Sequence, residues 1–466
     1  MTAATTIDLK RVLGQYLSAG SDSDNYYLAI GKSEPYQPGV GDTPPVQQDS
    51  DISSLAFERK ARASLQSFKR ATGLGFVIPR VNWVSGTTYV AYDDNVTTQS
   101  EKHYVLNSNN ELFMCLETSR LPDGTTQAST QEPTSALANN STKSFRLAET
   151  VGGNGTGYLW RYIAPLSLND MNRFSTSQYI PVKRVANVVL PQDSDQLDLQ
   201  LASTPGEILS LQVDSGGLGY TTEPTITISG DVSPGDSASF FAIRNAGVIT
   251  AIMVDSDGSG NPKHGSGYKN AIATVSGGGG NGAKLRVVMG PRKGLNENPV
   301  VSMRSKDFML TANYDNDEAN TILAENDFRQ VLLIKDATNY NSSQLFTGNT
   351  GNALTRLDLS GGVASTDFPE DATVTAANNT KAKVVFYDAT GPSIYIHQDD
   401  ETGYGPFIGG QSITSDPGTG QATLGATPTI DPDVDIYSGD VIFIHNNIAV
   451  ARSATQTEDV KLIIKF

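Results

Sequence analysis

The chain has 466 residues, a formal net charge of −16 and a sequence pI of about 4.7. A length of this size predicts about three compact units, and the excess of acidic side chains opposes binding to nucleic acid or to an anionic membrane surface. A single cysteine, Cys115, excludes an internal disulfide and a zinc site built on cysteines, and its apolar neighbours predict a buried, inert thiol.

Two segments of the first hundred residues have helical periodicity. Ile7–Leu17 predicts a helix that ends at Gly20, and Asp51–Thr72 predicts a longer helix with Asp51 as its N-cap. The second helix has basic side chains at Arg59, Lys60, Arg62, Lys69 and Arg70. These are either a solvated outer face or a docking surface for an acidic neighbour.

Short apolar runs separated by turn residues follow and predict strands. They are GFVIPRVNW, TTYVAYDD, KHYVLNSNNELFMCLET, GYLWRYIAPL and SQYIPVKRV, all within residues 75–185. Asn107–Asn110 predicts a hairpin turn. Aromatic residues recur in these runs, at Trp83, Tyr89, Tyr92, Tyr104, Phe113, Trp160 and Tyr162. We interpret them as core residues rather than a ligand cage.

Residues 197–290 are rich in Gly and Ser and contain an internal repeat. One copy begins at Gly206 and the other at Gly247, and each predicts a strand, a Gly-rich turn, a tyrosine and a second strand. Tyr220 and Tyr268 occupy the same position in the two copies. The repeat therefore predicts a duplicated β module inserted into the chain.

The remaining sequence returns to strand-like patterns. Val331–Ile334 predicts a fully buried strand, and residues 367–430 predict a second small β insertion. The chain closes with two strands predicted on either side of Asn446-Asn447 and a final strand at Val460–Phe466. No window approaches the roughly 20 apolar residues of a membrane span, and we expect no membrane partner.

These patterns together predict a mainly β fold with a multi-domain β-sandwich architecture, a few helices near the N-terminus and inserted small β modules. The expected division has an N-terminal part of the core at 1–195, the duplicated module at 196–291, a core continuation at 292–366, the second insertion at 367–430 and C-terminal strands at 431–466.

Residues suited to catalysis or metal binding are sparse. The four histidines, His103, His264, His397 and His445, are each far apart in sequence, so no helical metal-binding pair exists. Gly277, Gly279 and Gly282 match a dinucleotide-binding pattern, but a strand-like segment follows them where that site needs a helix. We therefore expect neither a cofactor nor a bound dinucleotide.

Acidic clusters are the remaining candidates for chemistry. Asp431, Asp433 and Asp435 have the first spacings of a calcium loop, but Ile436 replaces its glycine and Ile442 its closing glutamate. The adjacent acids at Asp93-Asp94 and Asp399-Asp400-Glu401 are expected on a solvated surface, although distant loops can assemble an acid pair for glycoside hydrolysis. The sequence predicts no catalytic or metal-binding residue.

Six phrases of the sequence, taken in order, are similar to a known family. They are NYYLAIGKSEPY (25–36), WVSGTTYVAYDD (83–94), HYVLNSNNELFMCL (103–116), YLWRYIAPL (158–166), ENDFRQVLLI (325–334) and YSGDVIFIHNNIAVARSATQTEDVKLIIKF (437–466). Together they resemble the eighth-gene baseplate wedge protein of T-even-type phages. The resemblance extends over residues 1–190, 291–367 and 437–466, and the two predicted insertions are departures from the family.

The resemblance implies a non-enzymatic structural subunit without a cofactor. Such a subunit forms a homodimer, joins other baseplate wedge proteins beneath the tail tube, and resides in the virion after assembly in the host cytoplasm. Two alternatives stay open. One is a receptor- or glycan-binding tail protein, with Tyr220 and Tyr268 as candidate contact residues. The other is a tail-associated glycosidase, for which the sequence offers no identifiable acid pair.

Overall fold

A computed structural model describes residues 6–19, 25–37, 42–46, 54–95, 102–137, 144–147, 155–188, 191–231, 237–316, 318, 322, 326–360, 365–453 and 455–465. The chain forms two compact units, whereas its length predicted about three. Unit 1 contains residues 1–14, 75–309 and 464–466, and unit 2 contains residues 15–74 and 310–463. The expected five-segment division stays a prediction.

Helices are short and are not confined to the N-terminus. Within the described ranges they are α1 (Ile7–Ala19), α2 (Leu55–Ala63), α3 (Leu168–Phe174), α4 (Pro191–Leu201) and α5 (Pro299–Ser302). Strands account for 45% of the residues and helices for 10%, so the predicted mainly β class is confirmed. The predicted helices near the N-terminus include α1 and α2, but helices are not specifically N-terminal, because α3, α4 and α5 lie in the middle of the chain.

Unit 1 combines an aromatic core with the Gly-rich module. Its strands are β3 (Gly73–Pro79), β4 (Tyr104–Leu106), β5 (Glu111–Glu117), β6 (Ser144–Leu147), β7 (Tyr158–Pro165), β8 (Tyr179–Val182), β9 (Ser210–Leu218), β10 (Thr225–Gly230), β11 (Phe240–Asn245), β12 (Val248–Val254), β13 (Ala271–Ser276) and β14 (Asn281–Val288). The first two residues of β3 are assigned to unit 2, and the rest of the strand is assigned to unit 1. One sheet has the order β4-β5-β7-β6, and β3 pairs with β8. Asn110, at a positive φ of 59°, closes the predicted hairpin between β4 and β5.

The predicted aromatic core is present in unit 1. Six of its seven aromatic residues are buried, and Trp83 packs against the same cluster while partly exposed. Phe113 stacks on Tyr162 with 5.1 Å between ring centroids. Cys115 is fully buried in this cluster, which raises the pKa of its thiol well above the usual value. The predicted burial of Cys115 is therefore confirmed, and its inertness stays a prediction.

The Gly-rich module is built from two interlocked copies of one three-stranded unit. The first copy contributes β9, β10 and β11, and the second contributes β12, β13 and β14. The strands pair between copies, β9 with β14 and β10 with β13, and β11 pairs with β12 across the junction. Tyr220 N donates to Gly247 O at 3.0 Å, and Tyr268 N donates to Gly206 O at 3.2 Å. The predicted repeat is thus a real structural duplication.

Unit 2 combines an open sheet with a closed barrel. Its strands are β1 (Tyr26–Gly31), β2 (Leu65–Arg70), β16 (Asp327–Lys335), β17 (Thr350–Asn352), β18 (Thr355–Ser360), β19 (Thr373–Ala376), β20 (Lys381–Asp388), β21 (Ser393–His397), β22 (Ser412–Asp416), β23 (Gln421–Ile430) and β24 (Asp440–Ala451). The open sheet has the order β17-β2-β1-β16-β24, and β18-β21-β20-β19-β22-β23 close the barrel. Val331–Ile334 lies buried in β16, as predicted.

The barrel is a small domain with its own core. Its interior is filled by alternating side chains of the strands, including Leu357, Val374, Val384, Ile394 and Ile413, all fully buried. The barrel begins at Thr355 in β18, which is earlier than the predicted insertion at residue 367. Strands β15 (Asp307–Asp315) and β25 (Thr457–Lys465) run from one unit into the other along the chain.

Three local predictions are wrong. Asp51–Thr72 is not one helix: α2 ends at Ala63, and Leu65–Arg70 forms β2 because pairing with β1 and β17 outweighs its helical periodicity. The proposed cap Asp51 and the proposed stop Gly20 lie outside the described residues, and Ser54 is the N-cap of α2. The segment TTYVAYDD, residues 87–94, contains no strand.

The third wrong prediction concerns the C-terminal region. β24 runs without a turn through Asn446-Asn447, where two separate strands were expected. Asn446 lies opposite Gln330 of β16, and Gln330 Nε2 donates to Asn446 Oδ1 at 2.8 Å. The asparagine side chain is therefore satisfied by a cross-strand bond instead of by a turn. The final strand β25 is present, as predicted, and starts three residues earlier than expected.

Candidate functional site

The structure separates most of the residues that the sequence marks as candidates for chemistry. His103 and His264 are buried in unit 1, whereas His397 and His445 belong to unit 2. In the part of the chain that the structure describes, no three His, Cys, Asp or Glu side chains come together as a metal site.

The adjacent acids Asp93 and Asp94 attach their own segment of unit 1 to the Gly-rich module. Arg286 of β14 donates to both carboxylate oxygens of Asp93, at 2.7 and 2.8 Å, and lowers the pKa of that carboxyl. Asp94 Oδ2 accepts a hydrogen bond from Met289 N at 2.9 Å. Both carboxylates are engaged with the C-terminal end of the Gly-rich module and do not face each other as an acid pair.

The Gly-rich module does not offer the sites that its sequence suggested. Gly277, Gly279 and Gly282 have positive φ; the first two lie in the turn between β13 and β14, and Gly282 lies within β14, so the pattern leads into a strand. A helix N-terminus for a pyrophosphate is therefore missing at this position. Tyr220 and Tyr268 are 2% and 4% exposed, which leaves neither ring free to stack on a ligand.

Three other tyrosines surround a cleft in unit 2, between the barrel and the loops that flank the open sheet. Tyr340, Tyr404 and Tyr437 are 39%, 62% and 50% exposed, so part of each ring is accessible to a ligand. The cleft has a volume of about 380 Å³. Its remaining walls include Thr355, Ile396, His397, Gln398, Phe407, Thr429, Asp431, Pro432 and Asp435. We call this the tyrosine cleft.

The loop that contains the acidic motif forms one wall of the tyrosine cleft. Asp433 accepts a hydrogen bond from Asn352 N at 2.8 Å and donates its own N–H to Asn352 O at 2.9 Å. Asp435 Oδ1 accepts from Tyr437 N at 2.9 Å. Val434 between them is fully buried. The motif that resembles a calcium loop is thus a fixed backbone loop, which positions Tyr437.

A buried arginine of α2 also fixes this loop, through hydrogen bonds to its backbone. Arg62 of α2 donates to the carbonyl oxygens of Ile436, Ser438 and Gly439 at 2.9, 2.6 and 2.7 Å. It also pairs with Glu58 at 2.8 Å and is 4% exposed. Arg62 was expected on a basic surface, and this part of the prediction is wrong. Its guanidinium is buried and binds backbone carbonyl groups and Glu58.

The other four basic residues, which were predicted on one helix face, lie on two different elements. Arg59 and Lys60 are exposed on α2. Lys69 and Arg70 belong to β2, where Lys69 forms an ion pair with Glu318. The continuous basic surface on one helix is therefore not formed.

The opposite wall of the tyrosine cleft comes from the barrel. Asp399 Oδ1 accepts hydrogen bonds from Glu401 N and Thr402 N at 2.9 and 2.8 Å, so the acidic run forms a tight turn. Tyr404 follows this turn, and its hydroxyl donates to Asp400 Oδ1 at 3.3 Å. Partial burial, together with contacts to Tyr437 and Asp400, raises the pKa of Tyr404. The phenol therefore stays neutral at physiological pH.

His397 links this wall to the open sheet. Its Nε2 lies 2.8 Å from Glu34 Oε1, and both side chains are largely buried. Burial alone would raise the pKa of the Glu34 carboxyl, but the hydrogen bond and charge of His397 lower it to about 2. The pair holds the end of β21 against the loop that follows β1.

The charge of the tyrosine cleft is negative. Among the described residues that line it are Asp431 and Asp435 but no lysine or arginine. His397 is paired with Glu34, and the nearby Arg62 is paired with Glu58. Sequence analysis missed this site because its tyrosines are far apart in the chain, and only their exposure marks them.

The chain matches no protein-family model and no curated protein sequence. Among the described residues, none of the helices has the length and hydrophobicity that crossing a bilayer requires.

Proposed function

We propose that this chain is a structural subunit of the baseplate wedge in a contractile phage tail. It acts through contacts with other wedge proteins and with a second copy of itself during baseplate assembly and the triggering of sheath contraction. Its place is the virion. It moves as a rigid body when the baseplate changes state, as subunits of large assemblies commonly do.

The observation that carries this proposal is the outer edge of β24. This strand has 12 residues and ends the open sheet, and in the described part of the chain it pairs only with β16. Its sequence, DVIFIHNNIAVA, has no lysine, arginine or proline to block further pairing. Ile442 and Ile448 are 42% and 69% exposed. Such an edge is a template for pairing with another chain.

The phrases that resemble the wedge family support the proposal by their position. NYYLAIGKSEPY contains β1, ENDFRQVLLI contains most of β16, and the C-terminal phrase contains β24 and β25. β1, β16 and β24 are adjacent strands of one sheet, although hundreds of residues separate the first from the other two. Three of the six family-like phrases therefore meet in the sheet that presents the open edge, and the other three lie in unit 1.

An exposed apolar helix face adds to the surface available for contacts. α1 buries Arg11 and Gly14, and a Cβ on Gly14 would lie 2.8 Å from the Phe76 ring. Leu9, Val12 and Leu13 are instead 50%, 56% and 45% exposed. A row of apolar side chains on the outside of a helix is typical of a surface that is covered in an assembly.

Mixing the purified chain with candidate wedge proteins of the same tail, and measuring the mass of the products, tests the proposal. We expect a dimer of the chain alone and a defined heteromeric complex after mixing, with a dimer interface above roughly 2,000 Å² if the dimer is obligate. A chain that stays monomeric and joins none of the wedge proteins would contradict the proposal.

The alternative, a receptor- or glycan-binding tail protein, requires accessible aromatic rings in the Gly-rich module. Tyr220 and Tyr268 are buried and hold the two copies of the module together. Nothing in the described part of the module favours them as contact residues. Binding of the isolated chain to host cells or polysaccharide would support this alternative.

A further inference from the structure

We propose that the tyrosine cleft binds a basic peptide segment, whose arginine or lysine side chains lie against the tyrosine rings and the carboxylates of Asp431 and Asp435. The inference concerns the purified chain itself and does not depend on the wedge assignment. It adds a ligand class to a site that the sequence did not indicate.

The negative charge of the tyrosine cleft favours a cationic ligand. The cleft combines three exposed aromatic rings with two carboxylates, and no described lysine or arginine lines it. An aromatic ring face attracts a cation, and a neighbouring carboxylate strengthens that attraction. An anionic ligand is repelled by the same groups. A neutral saccharide stacks on tyrosine rings but gains nothing from the negative charge.

The volume of the cleft favours a peptide segment over a free ion. About 380 Å³ lies within the range of small-ligand pockets, which begins at roughly 300 Å³. The space therefore accepts several side chains. Pro432, Phe407 and Ile396 add apolar wall against which the methylene groups of arginine or lysine pack.

The cleft is formed before any ligand arrives. Arg62 fixes the loop of Tyr437 through three carbonyl oxygens, and the Asp399 turn fixes the backbone before Tyr404. Tyr340 N donates to Asp433 O at 3.1 Å, which ties the third ring to the same loop. A site with a fixed backbone loses little conformational entropy on binding.

The test uses the full chain and a labelled Gly-Ser peptide that contains several arginines. A matched peptide with glutamates and a neutral maltooligosaccharide serve as comparison ligands. Titration followed by fluorescence anisotropy or calorimetry is expected to show binding of the arginine peptide alone. The affinity is expected to fall as salt is raised, because the carboxylates are solvent-accessible.

Substitutions in the tyrosine cleft test whether the arginine peptide binds there. Tyr404→Ala and Tyr437→Ala are each expected to weaken binding by about threefold, whereas Tyr404→Phe keeps the ring face and most of the affinity. Asp431→Asn is expected to weaken binding similarly. The matched control is Asp231→Asn, an exposed carboxylate in the Gly-rich module, which is expected to change nothing.

Three results would overturn the inference. The first is no binding of the arginine peptide by the full chain. The second is equal binding by wild type and by the combined Tyr404→Ala and Tyr437→Ala variant. The third is binding of the maltooligosaccharide in place of the peptide, with loss in the same variants, which would assign the cleft to a neutral glycan. None of these results bears on co-assembly with wedge proteins.

Discussion

Arg62 shows how one buried charge can organise a surface site. Its guanidinium satisfies three backbone carbonyl oxygens of the loop that holds Tyr437, and Glu58 balances its charge. Removal of the guanidinium leaves those carbonyl groups and Glu58 without their partner. Lysine cannot replace it, because an ammonium group lacks the planar fork that reaches three acceptors.

We predict that Arg62→Met lowers the free energy of unfolding by about 3 kcal/mol and that Arg62→Lys has an intermediate effect. Urea denaturation, with hydrogen exchange to localise the change in unit 2, is the measurement. Arg59→Met, at an exposed position of the same helix, is the matched control, and its effect is expected within about 0.5 kcal/mol. Equal stability of the Arg62 and Arg59 variants would contradict this assignment.

His264 is a buried group whose protonation opposes folding. Its Nδ1 lies 2.8 Å from Ile208 O, and burial, with the charge of Arg161, lowers the pKa of the imidazole to about 4. Since the ordinary pKa of histidine is about 6.5, the unfolded chain binds a proton at a pH where the folded chain does not. Stability is therefore lost as the pH falls from about 6.5 to about 4.

We predict that this single group contributes about 3 kcal/mol to that loss, from about 1.4 kcal/mol per pKa unit. His264→Asn keeps a side-chain donor near Ile208 O and removes the titration, so its unfolding free energy should be flatter between pH 4 and pH 6.5. His445→Asn, at an exposed position of β24, is the control. The assignment fails if both variants show the wild-type slope.

Single residues were predictable where local sequence determines their environment. Cys115 lies in an apolar run, and its burial follows from that run. The tyrosines of the cleft gave no such signal, because Tyr340 and Tyr404 are brought together only when the barrel closes beside the open sheet. The role of Arg62 was missed for the same reason, since its acceptors lie more than 370 residues away.

At the scale of elements, the Gly-rich module depends on close contacts between its two copies. Gly206 has a φ of +70°, and a Cβ there would lie 2.4 Å from Tyr268 O. A side chain at this position therefore has no room and would strain the backbone. The equivalent Tyr220 lies against Gly247 in the other copy.

We predict that Gly206→Ala destabilises the module by about 2 kcal/mol and increases hydrogen exchange in both copies, because each copy pairs with the other. Gly258→Ala is the control, since a Cβ there meets nothing within 4 Å and its φ is not in the strained range. Increased exchange confined to the first copy would show that the copies are independent and would contradict the interlocked arrangement.

Elements with strong local patterns were predicted well, and those decided by distant pairing were not. The β4–β5 hairpin and β16 follow from turn residues and from a continuous apolar run. Leu65–Arg70 has helical spacing, yet it becomes β2 because β1 and β17 complete a sheet on either side of it. The closed barrel depends on pairing of β18 with β23, which no local pattern indicates.

At the scale of the whole molecule, apolar side chains are exposed at the edge of β24 and on the outer face of α1. A monomeric protein normally has charged side chains at such a strand edge. The protein has a net charge of −16, yet β24 presents Ile442 and Ile448 along an open edge. Natural proteins normally protect such edges with lysine, proline or a covering segment. In the part of the chain that the structure describes, no second strand pairs with β24, and an edge of this length is expected of a chain whose edge is covered after assembly.

The most direct test of the account is native mass spectrometry of the Ile448→Lys variant mixed with the candidate partners that the proposed function names, the baseplate wedge proteins. A lysine on an edge strand opposes pairing with another chain, so we expect this variant to fold, to lose the complexes that the wild type forms, and to remain in the unassembled fraction. Ile272→Lys, at an equally exposed strand position in the Gly-rich module, is expected to assemble normally. Assembly of the Ile448→Lys variant at the wild-type level would contradict the role assigned to β24.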